Sequence, residues 1–195
     1  ELYGFYQAKQ AIKREDCCYL VEGQLDVIQL VQSGIENVVA SGGTALTYPQ
    51  VRLIHRFTEN VTILYDGDSA GIKASLRGID MILAEGLSVR VISLPENDDP
   101  DSFIKNNRIS DVIDYFDNNQ VDFITFKANL LLKDAGNDPI KKADVVKNIV
   151  SSIAVIPDAI YRSTYIKECA SLLEVSEQSI IYTINNIISK EVLKT

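Results

Sequence analysis

The sequence predicts an α/β fold in which a mainly parallel four-stranded sheet, flanked by helices, is followed by a small helical bundle. Short β-type runs alternate with stretches of helical periodicity in the first half of the chain, and the pattern is helical only from about residue 101. Strands that alternate with helices are typical of βαβ units with parallel strands and right-handed crossovers. With 195 residues and 46% hydrophobic side chains, the chain is long enough to bury a core.

The elements of this sheet follow from the apolar runs and the residues that interrupt them. Four runs are predicted as strands: 17–23, 37–41, 60–66 and 88–94. Three helices are predicted between them: 24–34, 48–57 and 69–86. Ser69 is a suitable N-cap for the third helix and Gly86 is a suitable stop, which predicts both of its ends.

The pattern divides the chain into three predicted segments. Residues 1–16 are expected to be a helical lead-in from an upstream subdomain, 17–105 the α/β domain and 106–195 a helical subdomain. In the last segment Asp138 precedes Pro139 and Asp158 follows Pro157, which are typical positions for helix starts.

Composition and charge narrow the class of protein. The net charge is −8, whereas nucleic-acid-binding proteins commonly carry a basic surplus, so the chain alone is expected to hold a polyanion poorly. No apolar run approaches the roughly 18 residues that span a bilayer.

The three cysteines lack metal-type spacing and are expected to be reduced, which indicates a cytoplasmic protein without a membrane contact. Because the chain opens at Glu1 and its only methionine is Met81, we expect an excised fragment.

Acidic residues follow three of the four predicted strands. Glu22 follows the first strand, Asp66 and Asp68 follow the third, and Asp99 and Asp101 come shortly after the fourth. Because the carboxyl ends of parallel strands share one edge of a sheet, these carboxylates are expected to converge. Converging carboxylates repel one another, and hard oxygen ligands suit Mg²⁺ or Mn²⁺. The sequence therefore predicts a metal site, although an Asp-Gly turn and a helix cap would also explain the motif around Asp66 and Asp68.

Several motifs resemble those of a known family. The segments "VEGQLD" (21–26), "YDGDSAG" (65–71) and "DPD" (99–101) resemble the Toprim domain, which primases, topoisomerases and some nucleases share. The segments "LYG", "ASGGTALT" and "DGDSAGIKAS" are similar to those of the bacterial DnaG-type DNA primases. The resemblance covers about residues 2–105. Gly42 departs from it, since the family usually has leucine there, but this position is not acidic.

The resemblance implies a set of site residues. Glu22, Asp66 and Asp68 are implied as the catalytic, metal-binding acids, with Glu22 also handling a proton. Asp26 is implied as a supporting catalytic residue. Asp99 and Asp101 are implied as further metal ligands or as residues that position the nucleotide.

The resemblance also implies a reaction and its partners. The reaction is metal-dependent synthesis of short RNA primers from ribonucleoside triphosphates on a single-stranded DNA template, in bacterial replication. Lys73 and Arg77, one helical turn apart, are weaker candidates for phosphate contact. A replicative helicase and a single-strand-binding protein are implied as partners of the full-length protein, and zinc is implied only in an upstream domain. The isolated chain is expected to have little or no activity.

Three other functions remain open at this stage. A Toprim topoisomerase or nuclease would share the acidic motifs. A haloacid-dehalogenase-type phosphatase also places Asp-x-Asp after a buried strand, but that family has threonine where this chain has Ala70. The third alternative is a non-catalytic module that binds a partner through its helices, a role that is compatible with a primase.

Overall fold

The chain folds into two compact units. The computed structural model describes residues 2–42, 45–66, 69–95 and 98–192, with the side chains of 69–75 and 191–192 excepted. The sheet unit comprises Glu1–Asp122 and the helical unit Phe123–Thr195. The division falls after Asp122, whereas the sequence placed a domain boundary after residue 105.

The sheet unit alternates helices and strands along most of its length, as the sequence predicts. Its elements are α1 (Phe5–Glu15), β1 (Cys18–Val21), α2 (Gln24–Gln32), β2 (Val38–Ala40), α3 (Tyr48–His55), β3 (Asn60–Tyr65), α4 (Ser69–Ala84), β4 (Ser88–Ser93), α5 (Pro100–Asn106), α6 (Ile109–Asn119) and β5 (Val121–Asp122).

The strands form one sheet in the order β2-β1-β3-β4-β5. The first four strands are parallel, which confirms the predicted topology. The fifth strand was not predicted. It pairs antiparallel with β4 through Arg90–Asp122 and Val91–Val121, and its two residues are too few to show a period-2 pattern.

The central strand β3 is apolar along most of its length, which is typical of parallel sheets that are covered on both faces. Val61 to Tyr65 are all buried, and Tyr65 is only 2% exposed, so its ring packs in the core. Val112 and Phe116 of α6 belong to the same core cluster as Val21 and Leu64. This packing explains why α6, which the sequence analysis assigned to the helical subdomain, lies in the sheet unit.

The "LYG" segment extends the sheet at its edge strand β2. The N–H of Tyr3 donates to the carbonyl of Ala40 at 2.9 Å, and the N–H of Ala40 donates to the carbonyl of Tyr3 at 3.1 Å. Gly4 then adopts φ +78° and leads into α1. A Cβ at Gly4 would lie 2.9 Å from Cγ1 of Val27, so both the backbone angle and the close contact with α2 require glycine.

The described part of the helical unit contains four helices: α7 (Phe123–Ala135), α8 (Pro139–Ala154), α9 (Ala159–Leu173) and α10 (Glu177–Val192). Asp138 and Asp158 cap α8 and α9 by accepting hydrogen bonds from the first backbone N–H groups, as predicted. Ile149, Cys169 and Ile180 are buried in the unit. The Nζ of the buried Lys127 donates to Oγ of Ser152, which gives this buried nitrogen a hydrogen-bond partner inside the bundle.

Two sequence-based expectations about the whole chain can be compared with the structure. The three cysteines are free thiols, as expected for a reduced protein. Within the described residues, no helix combines the length and the apolar character needed to cross a bilayer.

Candidate active site at the carboxyl edge of the sheet

Glu22 and Asp66 follow adjacent parallel strands at the same edge of the sheet. The last paired residues of the β1–β3 ladder are Leu20 and Ile63, so Glu22 and Asp66 lie two and three residues beyond that pair. Glu22 is exposed and Asp66 is half-buried. The parallel register therefore brings the ends of these two motifs together, as the sequence analysis expected.

Three other predicted residues follow β3. Asp68, the second acid of the motif, lies outside the described residues. Lys73 lies in the first turns of α4, but its side chain is not among those described. Arg77, one turn further along α4, is exposed. The predicted phosphate contacts of Lys73 and Arg77 stay predictions.

Asp26 stabilises the turn that connects β1 to α2. Its Oδ2 accepts a hydrogen bond from the N–H of Gly23 at 3.0 Å, which is the side-chain-to-backbone half of a capping box. A Cβ on Gly23 would lie 2.7 Å from that same Oδ2. Because Glu22 is the residue before Gly23, this hydrogen bond holds the backbone from which Glu22 projects.

The first and last acidic motifs meet beside α2 and α5. The pKa of Asp26 is raised, first by burial and also by the negative charges of Asp99 and Asp101, while the hydrogen bond from Gly23 acts in the opposite direction. Asp26 therefore interacts electrostatically with two residues that lie 73 and 75 positions further along the sequence. The structure thus connects the "VEGQLD" motif to the "DPD" motif.

Asp99 and Asp101 also have local structural roles. Oδ1 of Asp99 accepts a hydrogen bond from the N–H of Ser102 at 2.7 Å, so Asp99 is the N-cap of α5. This hydrogen bonding lowers the pKa of Asp99. Asp101 pairs with Nζ of Lys105 at 2.6 Å, one turn along the same helix. A metal or nucleotide contact for either residue stays a prediction.

The donor set is compatible with a hard dication. Among the residues that the structure describes, no three His, Cys, Asp or Glu side chains lie close enough together to hold a metal ion. Asp68 lies outside the described residues. The predicted ligands are all carboxylates, and the negative charges of Asp99 and Asp101 contribute to the raised pKa of the neighbouring Asp26, an effect that a nearby cation would oppose. Carboxylate oxygens are ligands that Mg²⁺ and Mn²⁺ prefer.

Two residues of this edge escaped the sequence analysis. Gly23 was treated only as the end of a strand, although a Gly-x-x-Asp spacing at the start of a helix fits the half capping box. Ser102 completes the cap of α5, because its hydroxyl donates to the carboxylate of Asp98 at 3.2 Å and accepts from the N–H of Asp99 at 3.0 Å. The spacing of Asp99 and Ser102 was visible in the sequence and is a capping-box pattern.

Comparison with known proteins identifies both units. Residues 19–104 match a Toprim-like family model, which includes all the predicted acids. Residues 125–178 match a model described as the DnaB-helicase binding domain of primase. The chain belongs to the DnaG-type DNA primase family. This confirms the resemblance drawn from the motifs.

Curated relatives support the same assignment along the chain. The chain is 51% identical to the DNA primase of Aquifex aeolicus over 104 residues, which are 53% of this chain and 21% of that protein. It is 35% identical to the DNA primase of Clostridium acetobutylicum over 178 residues, which are 90% of this chain and 29% of that protein. The chain therefore spans less than a third of the length of these relatives.

Solved structures show the same fold. A DNA primase domain from Pseudomonas aeruginosa superposes with a TM-score of 0.82 and 28% identity, over 95% of this chain and 59% of that one. A DnaG primase catalytic domain bound to single-stranded DNA superposes with a TM-score of 0.75 and 28% identity, over 88% of this chain and 56% of that one. These relatives favour the primase interpretation over the topoisomerase, nuclease and phosphatase alternatives.

Proposed function

We propose that this chain supplies the acidic, metal-binding part of a primase centre that synthesises short RNA primers on single-stranded DNA. The observation that carries the proposal is the placement of Glu22 and Asp66 at the carboxyl ends of adjacent parallel strands, in the family whose motifs they match. Mg²⁺ or Mn²⁺ is the cofactor that these carboxylates suit.

The proposed ligands are the carboxylates at the ends of β1 and β3 together with Asp68, and Asp99 and Asp101 are candidates for a further contact. Such an ion, when bound, neutralises charge on the phosphates and on the attacking and leaving oxygens. The proposed role of Glu22, which is exposed at this edge, is to accept a proton from a primer 3′-hydroxyl. Asp26 acts as a positioning residue, because it holds the backbone of the turn that carries Glu22.

The partners of the whole protein belong to the same proposal. The solved structure of a related catalytic domain with single-stranded DNA supports a DNA template, and ribonucleoside triphosphates and an RNA primer follow from the proposed reaction. The match of residues 125–178 supports a replicative helicase as a partner, and a single-strand-binding protein is proposed beside it. With a net charge of −8, the chain is expected to leave most of the template affinity to other parts of the protein.

Primer synthesis by the full-length protein tests this proposal. Glu22→Gln and Asp66→Asn each remove a carboxylate while keeping the size of the side chain, and each is expected to lower the rate of synthesis by about a hundredfold or more. Asp111→Asn is a matched control, because Asp111 is an exposed acid on α6. Equal losses in all three variants, or no loss in Glu22→Gln and Asp66→Asn, would contradict the proposal.

A further inference from the structure

A cavity of about 350 Å³ lies at the amino edge of the sheet, opposite the candidate active site. Cys17 and Asn37, which directly precede β1 and β2, form one side, and the end of α1 and the second half of α6 form the others. Cys17 and Glu22 are five residues apart along β1, which is about 16 Å at the rise of an extended strand. The volume falls within the range of small-molecule sites.

The inner wall of this cavity is aromatic and held in place by hydrogen bonds. The rings of Tyr19 and Phe116 line it and pack against each other, with centroids 5.6 Å apart and an interplanar angle of 48°. The N–H of Tyr19 donates to the carbonyl of Asn37 at 2.8 Å, and the amide of Asn37 donates to the carbonyl of Cys17 at 2.9 Å. The pairing of β1 with β2 therefore fixes the backbone of Tyr19, and α6 supplies Phe116 behind it.

The mouth of the cavity is mostly acidic. Glu15, Glu36 and Asp117 line it, and Arg14 is the one basic side chain among the described lining residues. Arg14 pairs with Glu15 at 2.7 Å and with Glu36 at 3.2 Å, so two of the carboxylates share one guanidinium. Asp117 lies near enough to Tyr19 for its charge to add to burial in raising the pKa of that phenol to about 12. The phenol is therefore neutral at ordinary pH, and the lining keeps a net negative charge.

We propose that this cavity binds a small organic cation, that is, a guanidinium or ammonium group on a short apolar chain. The neutral, partly exposed ring of Tyr19 offers a face to a cation and contact surface to its chain, and the buried Phe116 supports that ring from behind. Asp117 provides the carboxylate to which such a group hydrogen-bonds. The cavity shares no residue with the candidate active site, so this inference stands apart from the proposed primase function.

Calorimetric titration with agmatine, which carries a guanidinium and an ammonium group on a butyl chain, tests the proposal. Saturable binding is expected, with no binding of n-butylurea, which has a similar chain and no charge. Asp117→Asn is expected to weaken agmatine binding by about tenfold. Asp114→Asn, on the same helix one turn earlier and outside the lining, is the matched control and is expected to leave the affinity unchanged.

Alkylation of Cys17 locates the ligand independently. Cys17 is partly exposed, whereas Cys18 and Cys169 are buried, so iodoacetamide at alkaline pH is expected to form a thioether at Cys17 with release of iodide. Agmatine at ten times its Kd is expected to slow this reaction by about tenfold. Absence of agmatine binding, equal binding of n-butylurea, or equal affinity in Asp117→Asn and Asp114→Asn would overturn the proposal. If Cys17 reacts too slowly to follow, the agmatine affinities of Asp117→Asn and Asp114→Asn still test the proposal.

The same titration distinguishes two sources of the cation. N-acetyl-arginine-methylamide presents the same guanidinium as a protein side chain does. Competition by this capped arginine as strong as that by agmatine would identify an arginine of a partner protein as the occupant. Binding of agmatine alone would identify a free small cation.

Discussion

The carboxylate of Asp26 accepts a hydrogen bond from the backbone N–H of Gly23, with 3.0 Å between Oδ2 and N. This contact joins the end of β1, where Glu22 lies, to the first turn of α2. Asp26 also interacts with the charges of Asp99 and Asp101 at the start of α5. One half-buried carboxylate therefore connects two of the acidic motifs at the carboxyl edge of the sheet.

The Gly23–Asp26 contact predicts an unusual cost for a small substitution. In Gly23→Ala the new Cβ would lie 2.7 Å from Oδ2 of Asp26 and would displace the carboxylate. We expect the free energy of unfolding of the sheet unit to fall by about 1 kcal/mol, which is typical of a lost cap. Urea unfolding followed by circular dichroism measures the change, and hydrogen exchange at the Gly23 amide is expected to become faster.

A double-mutant cycle isolates this contact. In an Asp26→Ala background the carboxylate is absent, so Gly23→Ala is expected to cost clearly less than in the wild type. An equal cost in both backgrounds would show that Gly23 acts through its own backbone and not through Asp26.

Asp26 and Asp99 are predicted to affect stability with opposite dependence on pH. The pKa of Asp26 is raised above its ordinary value of 3.8, so its contribution is fully present below that value and is lost as pH rises through the folded-state pKa. The pKa of Asp99 is lowered, so its contribution is present above 3.8 and is lost as pH falls through the folded-state pKa.

The free energy of unfolding, measured between about pH 2 and 7 with a chelator present, tests this pair of signs. The wild type is expected to lose stability through Asp26 as the pH rises above about 4, and Asp26→Asn is expected to remove this loss. The wild type is also expected to lose stability through Asp99 as the pH falls below about 4, and Asp99→Asn is expected to remove that loss. If both substitutions changed the pH dependence of the free energy of unfolding in the same direction, the pKa values of Asp26 and Asp99 would not be shifted in opposite directions.

The cap of α9 predicts a local effect in the helical unit. Oδ1 of Asp158 accepts hydrogen bonds from the N–H groups of Ile160 and Tyr161, each at 2.8 Å. Asp158→Ala is expected to destabilise the unit by about 1 kcal/mol, and Asp158→Asn, which retains an acceptor oxygen, by much less. Hydrogen exchange at the Ile160 and Tyr161 amides, read by NMR, reports on this cap. Unchanged exchange in Asp158→Ala would contradict the assigned role.

The parts of the fold that depend on local pattern were predictable from the sequence. The four parallel strands, the helices between them and the caps at Asp138 and Asp158 all follow from periodicity and from the chemistry of the flanking residues. The strand β5 and the place of α6 in the sheet unit were not predictable in this way. Both depend on tertiary packing, since Val112 and Phe116 are typical of any amphipathic helix until their partners in the sheet are known.

The site was predictable in its location more than in its details. Parallel topology alone places Glu22 and Asp66 at one edge. The interaction of Asp26 with Asp99 and Asp101 requires the contact between α2 and α5, which no sequence period encodes. The same holds for the cavity at the opposite edge, because Arg14, Asn37 and Asp117 come from distant parts of the chain.

Metal binding by this chain is the most direct test of the account. Calorimetric titration with Mn²⁺ or Mg²⁺ is expected to show weak binding to the wild type and none to the variant that carries both Asp66→Ala and Asp68→Ala. The variant with Asp111→Ala, which changes an exposed acid on α6, is expected to bind as the wild type does. Equal affinity of the wild type and the Asp66–Asp68 double variant for the metal would contradict the central claim that these carboxylates hold a dication.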